Sequence, residues 1–176
     1  TSSNIRFVRF WHEVPTNNLS LDSDSSESAT TSNKKWFPMH KGGEFCRWYG
    51  KRNLVVNWLD NGREVKEFVN TQYPYLKGNI DYVIKDRGHF FKQGVTWSHT
   101  TSGSFSARFI PFGSISNVEG PTLFSDTNLV EFLGLLNSKP FNIILEIFCP
   151  TLHFLVGDIR KSPFPISMLD NEKIHK

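Results

Sequence analysis

The sequence predicts an α+β fold, a mainly antiparallel twisted sheet or partial barrel with a helix pair packed against it near the C-terminus. Three observations carry this prediction. Leu129, Phe132, Leu133 and Leu136 recur at i, i+3, i+4 and i+7, and Phe141, Ile144, Leu145 and Phe148 repeat the pattern. Ahead of these stripes lie short runs of β-forming residues, such as NLVVNW at 53–58 and FFKQGVTW at 90–97. Turn signals separate them, Asp60-Asn61-Gly62 and Glu119-Gly120-Pro121 among them.

With 176 residues, 38% of them hydrophobic, the chain has material for one sizeable core and reads as a single domain. Its 16 Phe and 5 Trp favour a packed fold over disorder. A net charge of +3 permits a polyanionic partner without requiring one. Cys46 and Cys149 lie far apart with no CxxC, and the histidines are scattered, so neither a disulfide framework nor a zinc site is expected. A reducing cytoplasm suits that cysteine usage. Lys139, Pro140, Glu146 and Pro150 interrupt the apolar region before a membrane-spanning length, so no membrane partner is expected. Beginning at Thr1 inside an aromatic segment, the chain reads as a fragment of something longer.

In chain order, IRFVRFWHEV at 5–14 fits a strand or a short helix. Residues 20–33 hold six serines and three acids, which predicts a flexible acidic loop. The sign reverses over 34–52, KKWFPMHKGGEFCRWYGKR, where six basic residues stand against Glu44 alone and alternate with aromatics. Lys34, Lys35, Lys41, Arg47, Lys51 and Arg52 are candidates to border a phosphate track of DNA or RNA. A core hairpin whose lysines merely face water is the competing account. Residues 53–58 read as a strand, 60–62 as its turn and 63–69 as a short helix, with irregular loop over 73–79.

Residues 90–111, FFKQGVTWSHTTSGSFSARFIP, read as a hairpin in which Val95 and Trp97 face one side while Thr96 and Ser98 face the other. Its 99–104 loop is rich in hydroxyls, which donate and accept hydrogen bonds. Trp97, Ser98, Thr100, Ser102 and Arg108 are the candidates here, and ordinary turn chemistry or an internal carboxylate for Arg108 are the alternatives. Short strands at 114–118 and 122–124 precede the helix pair. Asp126 or Thr127 is placed to cap its first helix and Ser138, with Pro140 just inside, its second; Pro150 stops it. Only Glu131, Lys139 and Glu146 are charged between 128 and 149, so most of the pair is expected to be buried, and Gly134 suggests close approach of another backbone. Residues 151–156 are expected to be extended, and the tail from Met168 to be frayed.

The 135–166 run, LLNSKPFNIILEIFCPTLHFLVGDIRKSPFPI, resembles the close of the target-recognition domain in adenine-specific DNA methyltransferases. The likeness is to the large single-chain enzymes of BREX phage-defence systems (the PglX family) and to type IIG restriction-modification enzymes. Leu136-Asn137-Ser138-Lys139, Pro150-Thr151, Gly157-Asp158-Ile159 and Pro165-Ile166 match the pattern, whereas Cys149, His153 and Leu155 depart from the more usual Asn, Asn and Gln. Three further blocks match in the family's order. They are Asn4, Arg6, Phe7, Arg9, Trp11, Glu13 and Val14, then the 35–50 segment, then Lys92, Gly94, Thr96, Trp97, Ser98, Ser102, Gly103, Phe105, Ser106 and Arg108. The acidic loop and 59–85 are unmatched.

The resemblance implies recognition of double-stranded DNA sequence for a catalytic methyltransferase domain upstream in the same chain, which would act on a flipped adenine. On this reading Lys34, Lys35, Lys41, Arg47 and Arg52 serve phosphates, and the Trp97–Arg108 hairpin, able to grip guanine through Arg108, serves the groove. S-adenosylmethionine is expected for the full-length enzyme and not in this fragment, which has no glycine-rich cofactor loop and no Asn/Asp-Pro-Pro-aromatic motif. The alternatives are the specificity domain of a type IIG enzyme, or a protein-interaction module docking other defence-system subunits.

Overall fold

In the computed structural model, the described residues are 6–149 and 151–163. The sequence expectations for Asn4 and Ile5, Pro150, Pro165-Ile166 and the tail lie outside them. Seven strands run β1 (Val8–Phe10), β2 (Trp36–His40), β3 (Leu54–Asn57), β4 (Gly94–Trp97), β5 (Ala107–Ile110), β6 (Ile115–Ser116) and β7 (Thr122–Leu123). The α-helices are α1 (Ser26–Thr31), α2 (Leu59–Gln72), α3 (Leu129–Leu136), α4 (Lys139–Phe148) and α5 (Val156–Lys161). The fold is α+β, with strand pairs antiparallel except β2–β6 and no closed barrel among the described residues. Among the described residues, two sheets and two apolar clusters stand where the sequence suggests one of each. The residues divide into two compact units.

The first unit contains Lys51–Gln93, Pro111–Val118 and the chain up to Lys41. Its sheet has the order β1-β3-β2-β6. Phe37 on β2 is fully buried and meets Phe91 edge-on at 5.5 Å, while Trp58 meets Phe90 at 5.2 Å. Residues 8–13 use both forms the sequence left open, strand β1 and then a 3-10 turn, Trp11–Glu13. Asp60, Asn61 and Gly62 all take left-handed backbone, and a Cβ on Gly62 would press into the Trp58 ring at 2.7 Å. Glycine is therefore sterically required at 62, and right-handed helix follows the turn.

The acidic stretch forms more than loop. Ser25 caps α1, accepting from the Ser28 N–H at 3.1 Å, and Ala29 is buried. Serines that resemble linker composition act here as caps, because their hydroxyls replace backbone partners at a helix start.

The second unit contains Gly42–Gly50, Gly94–Ile110 and the chain from Glu119 onward. Its sheet has the order β5-β4-β7. Helix α3 packs on β4 and β5, and Leu136, Phe141 and Leu145 join Val95, Trp97 and Ala107 in its core. Ser138 caps α4 as expected, accepting from the Phe141 N–H at 3.3 Å. Asn137 acts as a false strand: its side chain accepts from Ala107 N–H at 3.0 Å and donates to Ala107 C=O at 2.9 Å.

Four expectations for this region change. Asn128, in left-handed backbone, precedes α3 in place of Asp126 or Thr127. Outside its own helical turns, no heavy atom of the described residues would lie within 4 Å of a Cβ on Gly134, so none of their backbone approaches it there. The outer face of α4 is exposed at Ile143, Ile147 and Phe148, because the sheet covers only the Phe141–Leu145 stripe. The extended segment also ends sooner than expected: residues 156–161 are helical, with Asp158 accepting from the Leu155 N–H at 3.2 Å to fix the start.

Candidate nucleic-acid interface

The β4–β5 hairpin separates its polar residues into a buried set and an exposed set. Trp97 is 1% exposed, and its indole N–H donates to the Phe154 carbonyl at 2.9 Å. Thr96, on the other face, donates to the Pro121 carbonyl at 2.9 Å. The Ser98 hydroxyl accepts from Gly43 N–H at 3.0 Å and donates to Gly43 C=O at 2.8 Å. Both faces of β4 are thus occupied by protein. Trp97 and Ser98 hold neighbouring segments and present no polar atom to a groove.

Arg108 is 1% exposed, and its three guanidinium nitrogens have no hydrogen-bond partner among the described residues. Among the described residues, neither the internal carboxylate nor an open guanidinium fork is present. Burial pushes its pKa below the ordinary value, with Cys46 acting in the opposite direction.

Beyond Ser98 the chain emerges. Thr100, Ser102, Gly103 and Ser104 are exposed. The loop is nevertheless fixed at its base. Thr101 N–H donates to Leu152 C=O at 3.0 Å, and Phe154 N–H to His99 C=O at 2.8 Å. The Thr100 hydroxyl lies 3.0 Å from His99 Nδ1 and 2.9 Å from His153 Nδ1. A hydroxyl has one proton and two lone pairs, so at most one imidazole accepts from it and at least one donates to it. Sequence reading placed Thr100 here but missed His99 and His153, and no local signal joins positions this far apart in the chain.

The basic candidates are spread over the two units. In the first, Lys34 donates to Asn17 C=O at 2.6 Å, which leaves two of its three N–H donors for a phosphate. Lys35 lies 3.8 Å from Glu64, which offsets part of its charge. Lys41 lines a shallow surface cavity with Val8, Arg9, Phe10, Glu13, Met39 and Leu54. Arg52 is half-buried just ahead of β3. In the second unit, Arg47 lays its guanidinium 5.1 Å from the Phe45 ring centre. The described residues contain no cluster of three or more His, Cys, Asp or Glu able to hold a metal.

No family model matches the chain. Two curated relatives do. It is 33% identical over 166 residues to the adenine-specific methyltransferase PglX of Lacticaseibacillus casei (strain Zhang), covering 93% of this chain and 13% of that protein. This chain is similar to PglX-type adenine-specific methyltransferases. The adenine-specific methyltransferase BrxX of Escherichia coli O9:H4 (strain HS) is 31% identical over 161 residues, covering 89% of this chain and 12% of that protein. The chain therefore spans about an eighth of the length of the PglX and BrxX proteins it matches. The match covers so much of the chain that it includes segments of both units.

Proposed function

We propose that this chain recognises double-stranded DNA for an adenine-specific DNA methyltransferase of a phage-defence system. Catalysis and S-adenosylmethionine binding are assigned to a domain upstream in the full-length protein. The observation that carries the reading is the 99–104 loop: exposed Thr100 and Ser102 stand on a strand pair fixed from both faces by Trp97 and Ser98. A reading element needs donors and acceptors that project outward from a rigid support. Similarity to the PglX and BrxX proteins supports the enzyme class. Within it, Lys34, Lys35, Lys41, Arg47 and Arg52 serve the phosphates. Trp97 and Ser98 serve DNA indirectly, by setting where the loop stands, whereas Arg108 belongs to the buried interior.

The test is a duplex-binding titration at several salt concentrations on the chain and on single variants. Lys34→Ala is expected to weaken all sequences alike and to lower the salt slope by about one unit. Thr100→Ala or Ser102→Ala is expected to relax preference at one or two base pairs, each by roughly 1–3 kcal/mol. Binding by the wild type that is indifferent to both salt and sequence would exclude the reading. A second reading, docking of another protein, is favoured by the exposed Ile143, Ile147 and Phe148 on α4. It predicts that Ile147→Asp abolishes partner capture without changing the salt slope.

A further inference from the structure

The 42–50 segment is an irregular excursion, yet its backbone is held as firmly as a strand. Trp48 N–H donates to Ala107 C=O at 3.0 Å, and Phe109 N–H to Trp48 C=O at 2.9 Å, so the segment joins the free edge of β5. The Ser98 hydroxyl grips Gly43 from both sides, and the Ser106 hydroxyl accepts from Cys46 N–H at 3.2 Å. Close fits explain two of its glycines. A Cβ on Gly42 would overlap the Glu119 carbonyl, and one on Gly50 would fall 2.8 Å from Cys46 Sγ.

Everything needed to bury the side chains of this turn is present except a cover. Phe45, Trp48 and Tyr49 are 51%, 53% and 56% exposed. Trp48 also has φ of 69°, a left-handed backbone that a bulky residue rarely adopts. Such strain persists only where the surroundings impose it. Here the β5 hydrogen bonds and the Ser98 clamp impose it, and the result is an indole turned outward. Arg47 lies against the Phe45 ring, and Lys41, Lys51 and Arg52 flank the turn in sequence against Glu44 alone.

We infer that Trp48 and Tyr49 form a stacking platform for an unpaired nucleobase of the bound DNA, with Arg47 beside them for its phosphate. This rests on the DNA-recognition reading and adds a ligand for a surface that reading leaves unused. An aromatic ring stacks on any base, whereas a phosphate track needs only charge, so exposed rings interleaved with cations fit a base that has left the duplex stack. Exposed rings also suit a protein partner, and the excess of flanking cations is what favours one that carries phosphates.

The experiment compares the affinity of the chain for a fully paired duplex and for the same duplex carrying a one-base bulge. The bulged duplex is expected to bind about tenfold tighter, within the range that stacking one base on an aromatic ring supplies. Trp48→Ala should reduce that preference to near unity, with paired-duplex binding unchanged within about twofold. Its β5 hydrogen bonds are main-chain, so the fold should survive; unchanged circular dichroism and melting would verify this. Tyr49→Ala, which is free of the strained backbone, should halve the preference or more. Equal affinity of the wild type for both duplexes would overturn the platform and leave DNA recognition standing. So would a preference that survives both substitutions. Binding to neither duplex would remove both claims. Self-association of the wild type that Trp48→Ala abolishes, without any bulge preference, would assign the surface to protein contact and overturn the inference.

Discussion

Two parts of one hairpin carry the same chemistry and do different work with it. On β4 and β5 and just past the end of β4, Ser98, Thr96, Trp97 and Arg108 are buried, and the first three spend their hydrogen bonds on protein carbonyls and amides. In the connecting loop, Thr100 and Ser102 are exposed, with the Thr100 hydroxyl shared between His99 and His153. Residue type does not separate the sets, but burial does. Whether a serine reads a ligand or fixes a backbone depends on what already occupies its donor and acceptor sites.

The sharpest way to break this comparison is to remove a buried member. Trp97→Ala deletes a core side chain and its bond to Phe154, and should cost about 3–5 kcal/mol, measured by denaturant unfolding. Leu145→Ala, at the centre of the α4 stripe, should cost roughly 2–5 kcal/mol by transfer and cavity terms. If either variant kept wild-type stability and altered DNA preference, the buried set would be functional and the separation false.

Ser98→Ala comes next. It removes two part-buried bonds to Gly43 and should cost about 1–3 kcal/mol, roughly 0.5–1.5 kcal/mol for each hydrogen bond. Arg108→Met is predicted to run the other way, neutral or stabilising by up to about 4 kcal/mol, since an apolar chain of similar length replaces a cation buried without a partner. A large loss of stability on Arg108→Met would show that the guanidinium has a partner that matters to the fold.

The smallest effect concerns pH. Cys149 is buried, and burial raises its pKa above the ordinary thiol value, with the Thr151 hydrogen bond opposing and the Asp158 charge adding to the rise. The unfolded chain therefore loses its thiol proton first. The contribution is fully present below the unfolded thiol value and is lost as pH rises toward the folded one. Cys149→Ala should flatten the decline in melting temperature above about pH 8.5.

Much of this hairpin was legible in the sequence. Period-two alternation over 94–97, the turn chemistry of 60–62 and the Ser138 cap are local signals, and local geometry realises each of them. What could not be read was which face lay open. Thr96 and Ser98 alternate with apolar residues as if solvated, yet Pro121 and Gly43, distant in sequence, cover them. The same blindness hid the His99–Thr100–His153 contact and left α4 looking more buried than it is. Alternation reports that two faces differ, whereas their covering is decided by contacts made far along the chain.

The division between supporting strands and reading loop is tested most directly by sequence selection. The chain and its Thr100→Ala, Ser102→Ala and Arg108→Met variants would each be offered a randomised duplex library at one fixed salt concentration, and the bound fraction sequenced. The loop variants are expected to enrich a relaxed motif, degenerate at one or two positions, while the Arg108→Met motif stays that of the wild type. An unchanged motif in both loop variants, or a shifted one in a fully folded Arg108→Met, would contradict the account.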